Sequence, residues 1–212
     1  MTIESLKKPD AKYALLASGL AVLTVLANIL TAKQIQLGPA VLTAGIFVAP
    51  LTFPIGDTIN EVYGGAMARR AVLYSFAWMI AAALIIQGAI WLPPAHSWHH
   101  QAEFVLILGS LFRFTLASLA AYLVSQLYNV WVFQALRRAT KGRHLWLRNN
   151  LSTLFGQALD SVVFVVVAFS GTLPWDVIGN IIVAQCIVKY GIALLDTPFV
   201  YALVGWARKS EG

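Results

Sequence analysis

The chain has 212 residues, of which 59% are hydrophobic and only 11% charged, with a formal net charge of +6 and a mean hydropathy of +0.73. Soluble globular chains carry about 25% charged residues, so too little polar side chain is present to cover a water-facing surface, and a soluble fold is excluded. Apolar runs of about 20 residues recur instead, the length that crosses a hydrocarbon layer of about 30 Å at about 1.5 Å per residue.

These runs predict an all-α membrane protein of about six transmembrane helices in a single domain, at residues 13–31, 40–60, 70–91, 104–136, 150–170 and 177–206. Strand alternation is not evident in them, which argues against a β-barrel. With short loops, six helices occupy the chain and leave no room for a soluble domain. The first run is too long for the apolar core of a signal peptide, about 7–15 residues, and reads as a retained helix. Its small residues stand four apart (Ala14 and Ser18, Ala17 and Ala21), a spacing that lets helices approach closely.

The second run holds Pro50, Pro54 and Gly56 just before Asp57, Asn60 and Glu61. Each proline removes a backbone donor at membrane depth. The segment is therefore either a kinked helix or a discontinuous one of the kind that lines transporter sites. The third run ends at Pro93-Pro94, before the polar loop PPAHSWHHQAE. The fourth would measure about 50 Å as one helix, so it must tilt, break or project from the membrane. The fifth and sixth carry most of the buried polarity: Gln157, Asp160 and Ser161, then Gln185, Lys189 and Asp196. Asp57-Thr58-Ile59 is echoed by Asp160-Ser161-Val162 in the middle helix of each half, the pattern a 3+3 inverted repeat would give.

Orientation follows from Lys and Arg. With the N-terminus cytoplasmic, inside segments hold Lys7, Lys8, Lys12, Arg69, Arg70, Arg137, Arg138, Lys141, Arg143, Arg148, Arg208 and Lys209, twelve of the fifteen. Outside loops hold only Lys33, while Arg113 and Lys189 lie within helices. This bias places both termini in the cytoplasm. It also gives the net charge a topological origin, so no nucleic-acid partner is expected. The single Cys186 allows no internal disulfide.

A charge inside the hydrocarbon costs about 2.5–3.5 kcal/mol on insertion scales, which directs attention to the buried ones. Asp57, Asn60 and Glu61 share one helix face at i, i+3, i+4. Gln157, Asp160 and Ser161 repeat that spacing, and Gln185, Lys189 and Asp196 share another stripe. Three such faces can converge on an interior site for a polar solute. Ser118, Tyr122, Ser125 and Asn129 form a further stripe, from which Arg113 lies roughly 140° away at about 100° per residue. The bland alternatives are a helix cap at Asp57 and structural ion pairs at Arg113 and at Lys189. His96, His99 and His100 form a three-histidine loop, which reads as solvated rather than as a metal site. No P-loop, HExxH or GxSxG motif is present. No catalytic residue, metal ligand or cofactor is expected, and the protein reads as a non-enzyme.

Four stretches together resemble the queuosine precursor transporter family, within a wider group of bacterial vitamin-uptake transporters. They are FPIGDTINEVYGGAMARR (53–70), RFTLASLAAYLVSQLYNVWVF (113–133), LWLRNNLSTLFGQALDSVVFVVVAFSG (145–171) and IVKYGIALLDTPFVYAL (187–203). The resemblance implies a six-helix inner-membrane importer of 7-cyano-7-deazaguanine or 7-aminomethyl-7-deazaguanine for tRNA modification. It implies substrate-binding roles for Asp57, Glu61, Arg113, Gln157, Asp160, Lys189 and Asp196, to which the shared helix face adds Asn60. Asn129 stands where an acidic residue is expected in relatives, which puts a carboxylate role there in doubt. The chemistry fits, since a carboxylate accepts from both donors of a deazaguanine NH/NH2 edge. The expected partners are the deazapurine and the lipid bilayer, with a homodimer left open. A substrate-capture subunit working with a separate energising complex is the alternative.

Overall fold

The structure, a computed structural model, describes residues 8–139, 145–195 and 197–209. It is mostly helical. Two compact units emerge, one of Met1–Ile35, Thr43–Phe112 and Tyr190–Gly212, the other of Gln36–Leu42 and Arg113–Lys189.

In the first unit, α1 (Ala11–Leu30) starts at Asp10, whose carboxylate accepts the Tyr13 N–H at 2.9 Å. That bond satisfies one of the amides a helix start leaves orphaned. α1 packs along α2 (Ala49–Tyr63) and α3 (Gly65–Trp91), and α2 also packs on α8 (Thr197–Arg208). The shared core is Tyr13, Leu16, Leu20, Ile59, Val62, Tyr63, Ala71 and Ala207. α4 (Gln101–Leu108) leans on α3, and Gln101 Nε2 donates to the Ile90 carbonyl at 3.2 Å.

The second unit holds α5 (Leu111–Ala139) from Arg113 on, α6 (Leu145–Phe169) and most of α7 (Trp175–Leu195). It also holds the tip of a hairpin, β1 (Gln34–Leu37) with β2 (Ala40–Thr43). Asn180 of α7 grips this tip, accepting the Val41 N–H at 2.7 Å and donating to the Pro39 carbonyl at 3.2 Å.

Among the described residues, three runs are long and apolar enough to cross a membrane: Ala11–Thr31, Gly65–Trp91 and Gln101–Ser125. The stretch Leu154–Phe169 of α6 is apolar as well. Only 17% of the Gly65–Trp91 window is buried within the protein. Leu73, Trp78, Leu84 and Ile85 instead point outward. A helix apolar on its outward side as well requires an apolar surround, and that surround is the bilayer.

The element boundaries differ from the sequence expectation in two places. Residues 40–60 do not form one helix: 40–43 are strand, Ala44–Phe47 a 3-10 turn, and α2 begins only at Ala49. The expectation of a single helix over 40–60 is thereby corrected. Gly38, at φ +59, and Pro39 make a two-residue hairpin connection, and Val41 and Thr43 suit a strand. Pro50 stands in the first turn of α2, where its missing N–H costs nothing. Pro54 is the proline inside the helix, and the Thr58 hydroxyl donates to its carbonyl at 2.6 Å.

The run 104–136 breaks at Gly109-Ser110, and α5 (Leu111–Ala139) starts afresh. A Cβ at Gly109 would stand 2.5 Å from the Val105 carbonyl oxygen, so the helix end requires glycine. Within the run 177–206 the described helices are α7 and α8, and residue 196 between them lies outside the described residues.

Candidate functional site

Asp57, Asn60 and Glu61 come together as the helical spacing requires. The buried side of α2 is Thr58, Ile59, Val62 and Tyr63, and that leaves the polar three on the opposite side. They line a cleft of about 530 Å³ whose other wall is Val200, Tyr201, Val204 and Arg208 of α8. That volume lies within the range of small-molecule sites, about 300–1,000 Å³.

One wall supplies carboxylate and amide groups. The other supplies two valines and an aromatic ring against which a flat molecule can lie. At one end Arg208 Nη2 donates to Glu61 Oε1 at 3.0 Å. By sequence position alone Arg208 reads as a topological charge, and Val200, Tyr201 and Val204 as part of an ordinary membrane helix. Val200, Val204 and Arg208 stand at i, i+4, i+8 with Tyr201 beside them, a spacing visible in the sequence. The turn to face α2 was not.

The α8 terminus is anchored on α1 too. Lys12 Nζ donates to the carbonyls of Trp206 at 3.1 Å and Lys209 at 2.7 Å, and lies 5.2 Å from the Trp206 ring centroid. A cation on the last carbonyls of a helix meets the negative end of its dipole. Asp10 also accepts from the Tyr63 hydroxyl at 2.8 Å, which ties the start of α1 to the end of α2.

In the second unit, Lys189 Nζ donates to Asp160 Oδ2 at 2.9 Å, the lysine being only 15% exposed and the aspartate 36%. Among the described residues, Lys189 therefore meets an acid one helix back in sequence, on α6. Asp196 lies outside the described residues. Ser161 is fully buried and donates to the Gln157 carbonyl at 3.0 Å. Gln157 is half-buried one turn from Asp160, and Gln185 is buried one turn from Lys189. Amides thus flank the ion pair on both helices.

Arg113 is engaged with protein. Its Nε donates to the Val167 carbonyl at 2.9 Å, its Nη1 to Thr172 Oγ1 at 2.9 Å, and its Nη2 to the Ser170 carbonyl. Phe114 packs on Phe169 beside it, ring centroids 5.5 Å apart. The guanidinium therefore caps the end of α6, where helical carbonyls lack partners. His96, His99 and His100 are exposed. Among the described residues no three His, Cys, Asp or Glu side chains are grouped to hold a metal ion.

Residues 43–203 match the family described as "Putative vitamin uptake transporter". A Bacillus subtilis (strain 168) protein named "Probable queuosine precursor transporter" is 36% identical over 180 residues, 84% of this chain and 79% of that protein. An Escherichia coli (strain K12) protein named "Queuosine precursor transporter" is 34% identical over 130 residues, 60% of this chain and 55% of that protein. No solved structure matches the chain.

Proposed function

Because the chain belongs to the vitamin uptake transporter family, matching it over residues 43–203, we propose that it imports a queuosine precursor, a 7-deazaguanine base, for tRNA modification. The observation that carries this reading is the α2–α8 cleft, which sets Asp57, Asn60 and Glu61 against an apolar wall. A deazaguanine presents an NH/NH2 edge, a carbonyl and a flat bicycle. Carboxylates accept from the edge, an amide serves either polar group, and Val200, Val204 and the Tyr201 ring take the face. Names of relatives over most of the chain point to the same ligand.

In this reading the protein is a multi-pass inner-membrane carrier of six spans with both termini inside, and it catalyses no reaction. Asp160, Lys189, Gln157 and Asp196 add polar groups to the translocation route. The test is uptake in a strain unable to make deazaguanines, scored by queuosine in its tRNA. Expression of the chain should restore queuosine when 7-cyano- or 7-aminomethyl-7-deazaguanine is supplied. No queuosine under those conditions would overturn the proposal.

A second reading, a capture subunit served by a separate energising complex, draws on Ala14 and Ser18, small residues one turn apart on the exposed side of α1. Such a row suits close helix docking. Uptake by the purified chain alone in liposomes separates the two.

A further inference from the structure

Hydroxyl side chains in the helices of this protein, and at their ends, close back on the turn before them. Thr24, Thr31, Thr58, Ser75, Ser161 and Ser170 each donate to the carbonyl four residues earlier. Thr115 of α5 does not. It is 2% exposed, and its hydroxyl meets no partner among the described residues. A buried hydroxyl left that way is costly, and an ordered water is the usual occupant beside one.

Thr115 heads a row of hydroxyls. At about 100° per residue, Ser118 and Tyr122 lie within about 60° of it around α5, and all three belong to the second unit. The start of α5 meets the end of α6, since Phe114 packs on Phe169 and Arg113 on the carbonyls of Val167 and Ser170. The two helices therefore run in opposite directions. About 12 Å along each from those rings, Tyr122 of α5 reaches the level of Ser161 and Asp160 of α6. Asp160 holds Lys189 of α7 there at 2.9 Å, and Gln185 is buried one turn nearer the start of α7. The row thus runs from the first turns of α5 to the depth of the ion pair.

We propose that this row is a proton route and that Asp160 is where the proton is held. The proton enters through water at Thr115 and passes Ser118 and Tyr122 to the Asp160 carboxylate, which then gives up Lys189. An O–H bond forms on the carboxylate as its bond to the ammonium breaks. Lys189 keeps its own protons and turns them to the carbonyl of the solute. One proton enters with each solute, and it leaves Asp160 when the ion pair forms again. This deepens the transport reading and rests on it for the solute.

The two events depend on each other. With Lys189 drawn to a solute, an ionised Asp160 would be a charge without a counter-charge at membrane depth, which is costly. A protonated carboxyl avoids that cost, and it also has no hold on the ammonium. Proton and solute each favour the state the other makes, so the coupling is reciprocal. Among the described residues, the other titratable groups on the flanking helices near that level are Tyr122 and Tyr128 of α5 and Cys186 and Tyr190 of α7. None of these is a carboxylate, so Asp160 is the acceptor among them.

The experiment uses the full chain in lipid nanodiscs with 7-cyano-7-deazaguanine, whose substituent carries no titratable amine. Binding heats compared in buffers of different ionisation enthalpy should show about one proton taken up per base bound. Asp160→Asn, neutral like the protonated acid, should bind the base with no proton taken up. In proteoliposomes with an acid exterior the wild type should accumulate the base, and Asp160→Asn should only equilibrate it. Thr115→Val keeps the shape and removes the hydroxyl. It should melt no lower than the wild type and bind as tightly, yet its proton-driven uptake should slow by at least about tenfold. Thr115→Ser should restore the rate.

Binding and uptake with no proton taken up would overturn the route and leave the transport reading standing. Proton uptake that survives in Asp160→Asn would place the acceptor elsewhere and overturn it too. Wild-type uptake by Thr115→Val, or a fall in its melting temperature, would reduce that hydroxyl to a structural role and end the proposed route. A folded wild-type chain that binds neither the 7-cyano nor the 7-aminomethyl base would overturn the transport reading and this inference with it.

Discussion

Arg113 shows how one side chain of the same type can serve structure in one place and a site in another. Its three donor positions all meet groups at or just beyond the end of α6, so its charge is answered by the helix terminus. Arg113→Ala should lower the stability of the purified protein by about 1–3 kcal/mol, read as a fall in melting temperature in detergent. Binding of the deazaguanine per folded molecule should stay at the wild-type value. A lost affinity with unchanged melting would place Arg113 in the site instead.

Lys189 and Asp160 behave differently, because each answers a charge in a partly buried position. Lys189→Met alone leaves the carboxylate without its cation and should cost about 1–3 kcal/mol, between an exposed and a buried pair. Asp160→Leu with Lys189→Met removes both charges and should recover the folded yield. Uptake should remain absent in that double variant, since the polar groups for the solute are gone. Full uptake by it would show the pair to be structural.

At the scale of elements, two glycines decide how the helices of the first unit meet. Gly64, between α2 and α3, has φ +86 and ψ 163, a region of backbone essentially reserved for glycine. Gly45, in the 3-10 turn, lies so close to α1 that a Cβ would stand 2.5 Å from the Ala27 carbonyl oxygen and 2.6 Å from Thr31 Oγ1. Gly64→Ala should cost about 1–3 kcal/mol through backbone strain. Gly45→Ala should be destabilising through overpacking, by about 1–3 kcal/mol.

Gly56 is the contrast, since nothing lies within 4 Å of its added Cβ and it sits inside α2. Gly56→Ala should stabilise by about 0.5–1 kcal/mol from helix entropy. Thermal unfolding of the three variants side by side measures all of this, and equal melting of all three would refute the packing account.

At the scale of the whole molecule the charge bias makes the prediction. α3 runs 27 residues, about 40 Å, enough to separate its two ends by a bilayer. A cysteine at Ser97, in the loop beyond α3, should react with an impermeant reagent added to intact cells. One at Ala66, at the start of α3, should react only after lysis. The opposite pattern would invert the topology.

The membrane class, the helical content and the positions of most apolar segments were legible from the sequence alone. Twenty-residue runs of apolar side chains have few other stable outcomes where backbone groups must pair internally. The clustering of Asp57, Asn60 and Glu61 was legible too, because a helix brings i, i+3 and i+4 together without help from the rest of the fold.

The partners of those residues were not. The 40–43 strand was hidden because a short apolar stretch reads equally as helix or strand until its turn is placed. The break at Gly109 depends on local packing and on a helix end that needs a small residue. Above all, that Arg208 meets Glu61 and Lys189 meets Asp160 required α2 to lie against α8 and α6 to come near α7. Those pairings join residues 147 and 29 positions apart. Helical periodicity carries information over a few turns of one segment, and only tertiary packing decides which face of one segment meets which face of another.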